Sequence, residues 1–431
     1  MFDRRYDFYM EVSQNMDIAE YYDEIAQCNK CGFCQVACPI FRSTGHESGV
    51  ARGRLALLRA IIEGRLDWNK ELEEPLYDCL GCGACTANCF PAVPTADLVN
   101  KARTEYLEKV ERKPIHQMLF DYLLPYPRRL HLAARAVALG KNTGISSMAR
   151  ALGLLRIFGR DFSRAEEIIE KLPPLPFRDK FKPGVYEGSG ESMRIGYFVG
   201  CGVDVIQQDA GEATLEILKK IGKSVTLLNN CCCGLPAHSY GDIKAARKLA
   251  GKNLDILASD EFDVIVTDCS SCAGFLKKYP DVFAGDERLP QAEKVASLLK
   301  DMVELIVPNE PVSVSAENPV VATYHDPCHA SRGQGLAKEP RQILKNIAGI
   351  EYREMPEADW CCGGAGSYAL SHYDLSQKVL DRKMENLQKT DADILVTSCP
   401  ACMIQLSYGI RRHGLKTEVR HISQVVAGQV R

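Results

Sequence analysis

Residues Val264–Cys272 read VIVTDCSSC, and residues Ile394–Cys402 read ILVTSCPAC. Each is a short aliphatic and β-branched run that delivers a C-x2-C at its C-terminal end, the pattern of a buried strand. Upstream the two copies keep matching. Arg194–Cys201, RIGYFVGC, corresponds to Val321–Cys328, VATYHDPC, and Cys232-Cys233-Gly234 corresponds to Cys361-Cys362-Gly363. Amphipathic stretches at helical spacing lie between, at Gly211–Ile221, Lys244–Leu257, Pro340–Ile347 and Leu375–Leu387. The second part of the chain is therefore an internal repeat. Strand–helix–strand alternation predicts two small α/β domains with mainly parallel sheets. In such sheets the C-terminal ends of the strands line one edge, where sites form, and the repeat cysteines fall at those ends.

The first repeat contributes Cys201, Cys232, Cys233, Cys269 and Cys272; the second contributes Cys328, Cys361, Cys362, Cys399 and Cys402. The first set has 30 residues between Cys201 and Cys232 and 35 between Cys233 and Cys269, against 32 and 36 in the second, so the two sets fold alike. Five thiolates are one more than a cubane needs. The surplus permits an open, noncubane cluster with a bridging thiolate, or an exchangeable iron. Zinc is the alternative at either site. Gly234 and Gly363 are expected to let the backbone approach a cluster closely. Cys231, beside the first pair, reads as a buried bystander in preference to a substitute ligand. His325, Asp326, His329 and Arg332 border the second site. They either carry protons and donate hydrogen bonds that raise a cluster potential, or cap the following helix. His238 reads as structural.

The N-terminal part carries two ferredoxin runs. Cys28, Cys31, Cys34 and Cys38 precede Pro39; Cys79, Cys82, Cys85 and Cys89 repeat the spacing, with Phe90 before Pro91. In the two-cluster arrangement the fourth cysteine of each run ligates the other cluster. One 4Fe-4S cluster is then expected on Cys28, Cys31, Cys34 and Cys89, and the other on Cys79, Cys82, Cys85 and Cys38. Structural zinc wants separated C-x2-C pairs, which these runs are not. Between the runs, Val50–Gly64 has apolar residues at helical spacing, which predicts a helical ferredoxin module.

The domains expected are 1–112, a helical two-cluster ferredoxin; 113–190, a basic helical connector; 191–312 and 313–431, the two Cys-Cys-Gly domains. In the connector, Gln117–Arg160 holds seven Lys/Arg and one acid, Asp121. It reads as internal helices bridging the modules in preference to a lipid- or partner-docking face. The length of 431 residues needs several cores, and the net charge of −3 disfavours nucleic acid as main partner. Nineteen cysteines in a chain this large, starting MFDRRYDFYM without an apolar signal core, indicate a reducing cytoplasm and metal ligation rather than disulfides. No 18-residue apolar run is present. No G-x-G-x-x-G opens a helix after a strand, and no P-loop exists, so no flavin, nicotinamide or nucleotide site is expected on this chain.

Two ferredoxin motifs followed by two Cys-Cys-Gly domains resemble the iron–sulfur subunits of glycolate oxidase and related D-lactate dehydrogenases. Cys361–Met384, CCGGAGSYALSHYDLSQKVLDRKM, and ARGRLALLRA between the ferredoxin runs carry the likeness. The resemblance implies an oxidoreductase subunit working with an FAD-containing 2-hydroxy-acid dehydrogenase. It also implies a membrane quinone or an electron-transfer flavoprotein at the other end, and a position at the inner face of the cell membrane. The same layout is similar to heterodisulfide reductase, which implies an alternative: disulfide or quinone chemistry at a Cys-Cys-Gly cluster.

Overall fold

The computed structural model describes residues 17–259, 261–306 and 319–428. The N-terminal decapeptide and the expected boundary between 312 and 313 lie outside them. Residues 18–109 are helical. Ala51–Ile62 and Thr95–Lys109 pack on each other through Leu55, Leu58, Leu98, Val99, Ala102 and Tyr106. The helical spacing read between the ferredoxin runs thus buries one face of a real helix. Pro39 opens the helix Pro39–Thr44, where its missing N–H costs no hydrogen bond.

The first sheet contains β1 (Gly184–Glu187), β2 (Arg194–Phe198), β3 (Ser224–Leu227), β4 (Val264–Thr267) and β5 (Leu299–Asp301), in the order β1-β3-β2-β4-β5. Only β1 is antiparallel to its neighbour. This strand lies within the span read as helical connector, and it covers the edge of β3. The second sheet contains β6 (Val320–Tyr324), β7 (Ile350–Tyr352), β8 (Ile394–Thr397) and β9 (Glu418–His421), all parallel, in the order β7-β6-β8-β9. The four expected amphipathic helices are Gln208–Ile221, Ile243–Leu257, Glu339–Asn346 and Tyr373–Gln388. A helical two-cluster ferredoxin region therefore precedes two α/β units of parallel-sheet character. One apolar core runs through both sheets, from Tyr197 and Val266 to Tyr324 and Val396.

The connector departs from its reading as internal helix. Its first turns are buried, with Phe120 and Leu124 packed among the first-repeat cysteines. Beyond Pro127 the expectation fails. Helix Pro127–Asn142 buries only Ala138, and Ile145–Ala151 buries nothing. Leu132, Leu139, Met148, Leu152, Ile157 and Phe158 are exposed. The segment is held at its rim by polar anchors, His131 to Asp204 and Arg135 to Asp179 (both 2.7 Å), which leaves the apolar face outward.

Candidate metal centres

Cys38, Cys79, Cys82 and Cys85 line one cavity with Ile40 and Leu80. Burial pushes the Cys85 thiol up, and the neighbouring Cys79, Cys82 and Cys38 add to it. The fourth cysteine of the first run is thus brought to the second run. Cys34 has Cys28 as its thiol neighbour, and Cys28 and Cys89 pack against the same core. This first ferredoxin end is at the surface: Cys31, Phe33, Val36 and Phe90 are exposed. The second is held in place by buried Arg103, which donates to Leu76 O and Cys79 O (2.7 and 2.6 Å) and to Ser239 O in the first repeat (2.6 Å).

Each repeat gathers its five thiols at the strand ends. The lone cysteine opens a helix after β2 or β6; the C-x2-C starts a helix after β4 or β8. In the first repeat Cys201 interacts with Cys232, Cys232 with Cys233, and Cys233 with Cys272. Hydrogen bonds from Cys232 and Cys272 pull Cys233 down to about 5, toward the thiolate that a metal requires. In the second repeat Cys328 interacts with Cys361, Cys361 with Cys362, and Cys362 with Cys402. Cys231 stands outside this network. Burial pushes it up to about 11, and its Sγ faces Asn253 Oδ1 at 3.3 Å.

The sites also touch one another. Cys269 and Cys399 interact across the boundary between the repeats. There Ser270 donates to Ser398 through its N (3.0 Å) and Oγ (2.7 Å). Cys82 meets Cys361, and the hydrogen bond from Cys361 pulls Cys82 down to about 6. Neither contact carries a signal in the linear sequence. Sulfur contacts run unbroken from the second ferredoxin site through the second repeat to the first.

The four residues bordering the second site have separate jobs. Asp326 is gripped by Arg341 through two bonds of 2.8 Å. His329 Nδ1 pairs with Ser271 Oγ across the boundary at 3.3 Å. Arg332 donates to Cys82 O (3.3 Å) and Asp359 (2.7 Å). His325 is wholly buried with both ring nitrogens unpartnered, and its ligand atom lies within 4.8 Å of those of Cys362 and Cys402. His238, as read, is structural: it contacts Asn100 (3.1 Å) and packs on Phe275. Lys383 escaped the sequence reading. It is buried, donates to Glu357 O and Ala358 O (2.7 and 3.1 Å), and feels the charges of Cys362 and Cys328. Aligning the repeats residue by residue is the signal that finds it, since Asn253 stands equally far ahead of β4.

The glycines act differently from expectation. Gly234 and Gly363 have φ of +103° and +82°, and a Cβ there meets helix backbone, Ala246 O at 3.1 Å and Ser376 O at 2.6 Å, not a thiol. Gly364 and Gly200 do face sulfur, with Cys362 Sγ at 3.4 Å and Cys269 Sγ at 3.8 Å from such a Cβ. The donor sets fit iron–sulfur clusters: thiols dominate, and the one tightly convergent ligand group among the described residues, His325 with Cys362 and Cys402, contains no carboxylate.

Comparison with known proteins agrees with this layout. A 4Fe-4S dicluster domain model matches residues 24–92, and a cysteine-rich domain model matches 195–277 and 322–407. A model described as the linker region of the glycolate oxidase iron–sulfur subunit matches 111–169. A probable glycolate oxidase iron–sulfur subunit of Bacillus subtilis is 31% identical over 96% of this chain and 94% of its own length. An uncharacterized iron–sulfur protein of Methanococcus maripaludis is 27% identical over 92% of this chain and 71% of its own. Lactate utilization protein A of Bacillus thuringiensis is 32% identical over 54% of this chain and 98% of its own.

Proposed function

The chain belongs to the family of glycolate oxidase iron–sulfur subunits, and on that footing we propose that it is the electron-transfer subunit of a 2-hydroxy-acid dehydrogenase. It would connect a partner flavoprotein that oxidises glycolate or D-lactate to a quinone or an electron-transfer flavoprotein. Bound clusters supply one-electron exchange, while hydride chemistry belongs to the flavin. We assign Cys28, Cys31, Cys34 and Cys89 to one cubane and Cys79, Cys82, Cys85 and Cys38 to the other. The five cysteines of each repeat take one further iron–sulfur cluster apiece, in preference to zinc. Residues 1–112, 113–190, 191–312 and 313–431 are the corresponding units.

The observation that carries this reading is the continuity of thiol contacts, Cys82 to Cys361 and Cys399 to Cys269, which join the second ferredoxin run to the second repeat and the second repeat to the first. Exposed Phe33 and Val36 in the first ferredoxin run, and Phe90 at the end of the second, suit a docked electron donor. Past the helix Pro127–Asn142, the connector presents exposed Leu152, Ile157 and Phe158 with Arg156 and Arg160, which have no ion pair among the described residues. No helix among those residues is long and apolar enough to cross a membrane. Apolar side chains ringed by arginine suit an anionic membrane surface, at about 1 kcal/mol per cationic side chain, so we assign that face to the inner surface of the cell membrane. The relatives do not favour disulfide reduction as the main activity.

The test is the complex isolated without oxygen through a tag on this chain. Glycolate or D-lactate is expected to bleach the iron–sulfur absorbance, with flavin present and about sixteen irons per chain. Absent flavin and absent bleaching overturn the reading; about eight irons with zinc overturns the assignment at the repeats. Sedimentation with phosphatidylglycerol vesicles, lost in Ile157→Asp, tests the membrane face.

A further inference from the structure

The two repeats hold the same five thiols in the same backbone, yet four equivalent positions around them differ in one electrostatic direction. Phe198 ends β2, and His325 follows β6 in its place; both are 0% exposed. Val205 and Arg332 each stand one helical turn past the lone cysteine. Asn253 and Lys383 both pin the Cys-Cys loop. Asn253 Nδ2 donates to Cys232 O (2.9 Å), and Lys383 Nζ donates to Glu357 O (2.7 Å). Asp268 precedes the first C-x2-C, bonded to Tyr197 OH and Gly200 N, where Ser398 precedes the second.

The acids near both sites are compensated, and Lys252, which has no ion pair among the described residues, acts on Cys231, outside the five-thiol set of the first site. Asp204 is held by Arg178 (2.8 Å) and His131 at the first site, and Asp326 by Arg341 at the second. Asp359, the partner of Arg332, is 59% exposed and so screened by water. A buried imidazole with neither nitrogen bonded pays a desolvation cost that a sulfur acceptor relieves. The acceptor within reach is the Cys362–Cys402 sulfur group.

We propose that His325, Arg332 and Lys383 make the second Cys-Cys-Gly site the more strongly electron-accepting of the two, so that it collects the electron handed on at Cys82 before the first site is reduced. Hydrogen bonds to cluster sulfur and nearby positive charge both raise a reduction potential. One electron leaves the ferredoxin site, which is oxidised, and the second site is reduced by one; no bond forms or breaks. The reductant is the reduced flavin of the partner. The inference rests on the proposed function, which places iron–sulfur clusters at both repeats.

The experiment is an EPR-monitored potentiometric titration of the full holoprotein labelled with 15N-histidine, with iron and zinc measured on the same sample. The repeat centre reduced at the higher potential is expected to carry the histidine 15N coupling. A coupling on the lower-potential centre, or on neither, overturns the proposal while leaving the cluster assignment standing. Zinc in place of iron at the second repeat overturns both. In His325→Phe, the oxidised-to-reduced ratio of that centre at fixed potential is expected to rise at least tenfold, 59 mV for one electron. Phe198→His is expected to move the other centre the opposite way. An unchanged ratio in iron-replete protein refutes the role of His325.

Discussion

The two Cys-Cys-Gly sites share thiols, spacing and strand ends, but not surroundings. The first is packed with Phe120, Phe198, Phe275 and Leu124; the second has His325, Arg332 and Lys383 around the same cysteines. Their positions in the molecule differ too. The second touches the ferredoxin module through Cys82, and the first lies beyond it under the connector. Duplication preserved what a metal cluster needs for binding, and divergence acted on what sets its potential and its neighbours.

The largest effect expected from breaking this asymmetry is at the thiols. Cys361→Ser should lose about four irons and, since Cys361 is the contact to Cys82, stop reduction of both repeat centres by substrate. Cys232→Ser should lose the first-repeat centre alone and leave the second reducible. Stopped-flow absorbance with iron analysis separates them; equal phenotypes would break the order of these contacts.

Next in size is acid sensitivity. Burial pulls His116, His238 and His372 down to about 4. Each is neutral in the folded protein, while the unfolded chain takes up protons below about pH 6.5. The unfolded state then binds more protons, so stability present above pH 6.5 falls as pH drops toward about 4, by several kcal/mol in all. His116 and His238 lie between the ferredoxin module and the first repeat, stacked near Tyr240 and Phe275, while His372 stacks on Tyr368 at the second. His421, at the end of β9 in the second repeat, is pulled down to about 4 by burial as well, so hydrogen exchange at pH 5 should show both repeats losing protection together.

Smaller still is the glycine contrast. Gly363→Ala adds a Cβ at 2.6 Å from Ser376 O in left-handed backbone, and should cost about 3 kcal/mol. Gly234→Ala, with its nearest contacts at 3.1 Å, should cost about 1 kcal/mol. Denaturant titration compares them. Smallest is Ser270→Ala, which removes the Oγ bond to Ser398 (2.7 Å) and should cost about 1 kcal/mol without altering either repeat centre.

Much of this architecture is legible along the chain. Periodicity located the helices that flank both sheets within a few residues, because an amphipathic face must alternate at the helical period whatever it packs against. Other features escaped that logic. β1 is a short, largely exposed edge strand in a Pro/Gly-rich stretch, with no buried face to impose a pattern. The connector helices have the composition of internal helices but are presented outward. Composition reports that a helix has apolar residues, not whether anything covers them. The role of Gly363 was misread because a tight turn against a helix and a tight turn against a metal demand the same residue.

The sequence by itself determined which residues are ligand candidates, that they come in two ferredoxin runs and a duplicated set of five, and that strands deliver the repeat thiols to sheet edges. These are local facts, since spacing of a few residues decides whether thiols converge. Tertiary structure alone decided that Cys82 meets Cys361, that Cys269 meets Cys399, that His325 faces sulfur, and that Lys383 lies within electrostatic reach of it, while Phe198 and Asn253 fill the equivalent places. Those contacts join residues more than a hundred positions apart or set side chains by domain packing, and no local pattern encodes the orientation of one core against another.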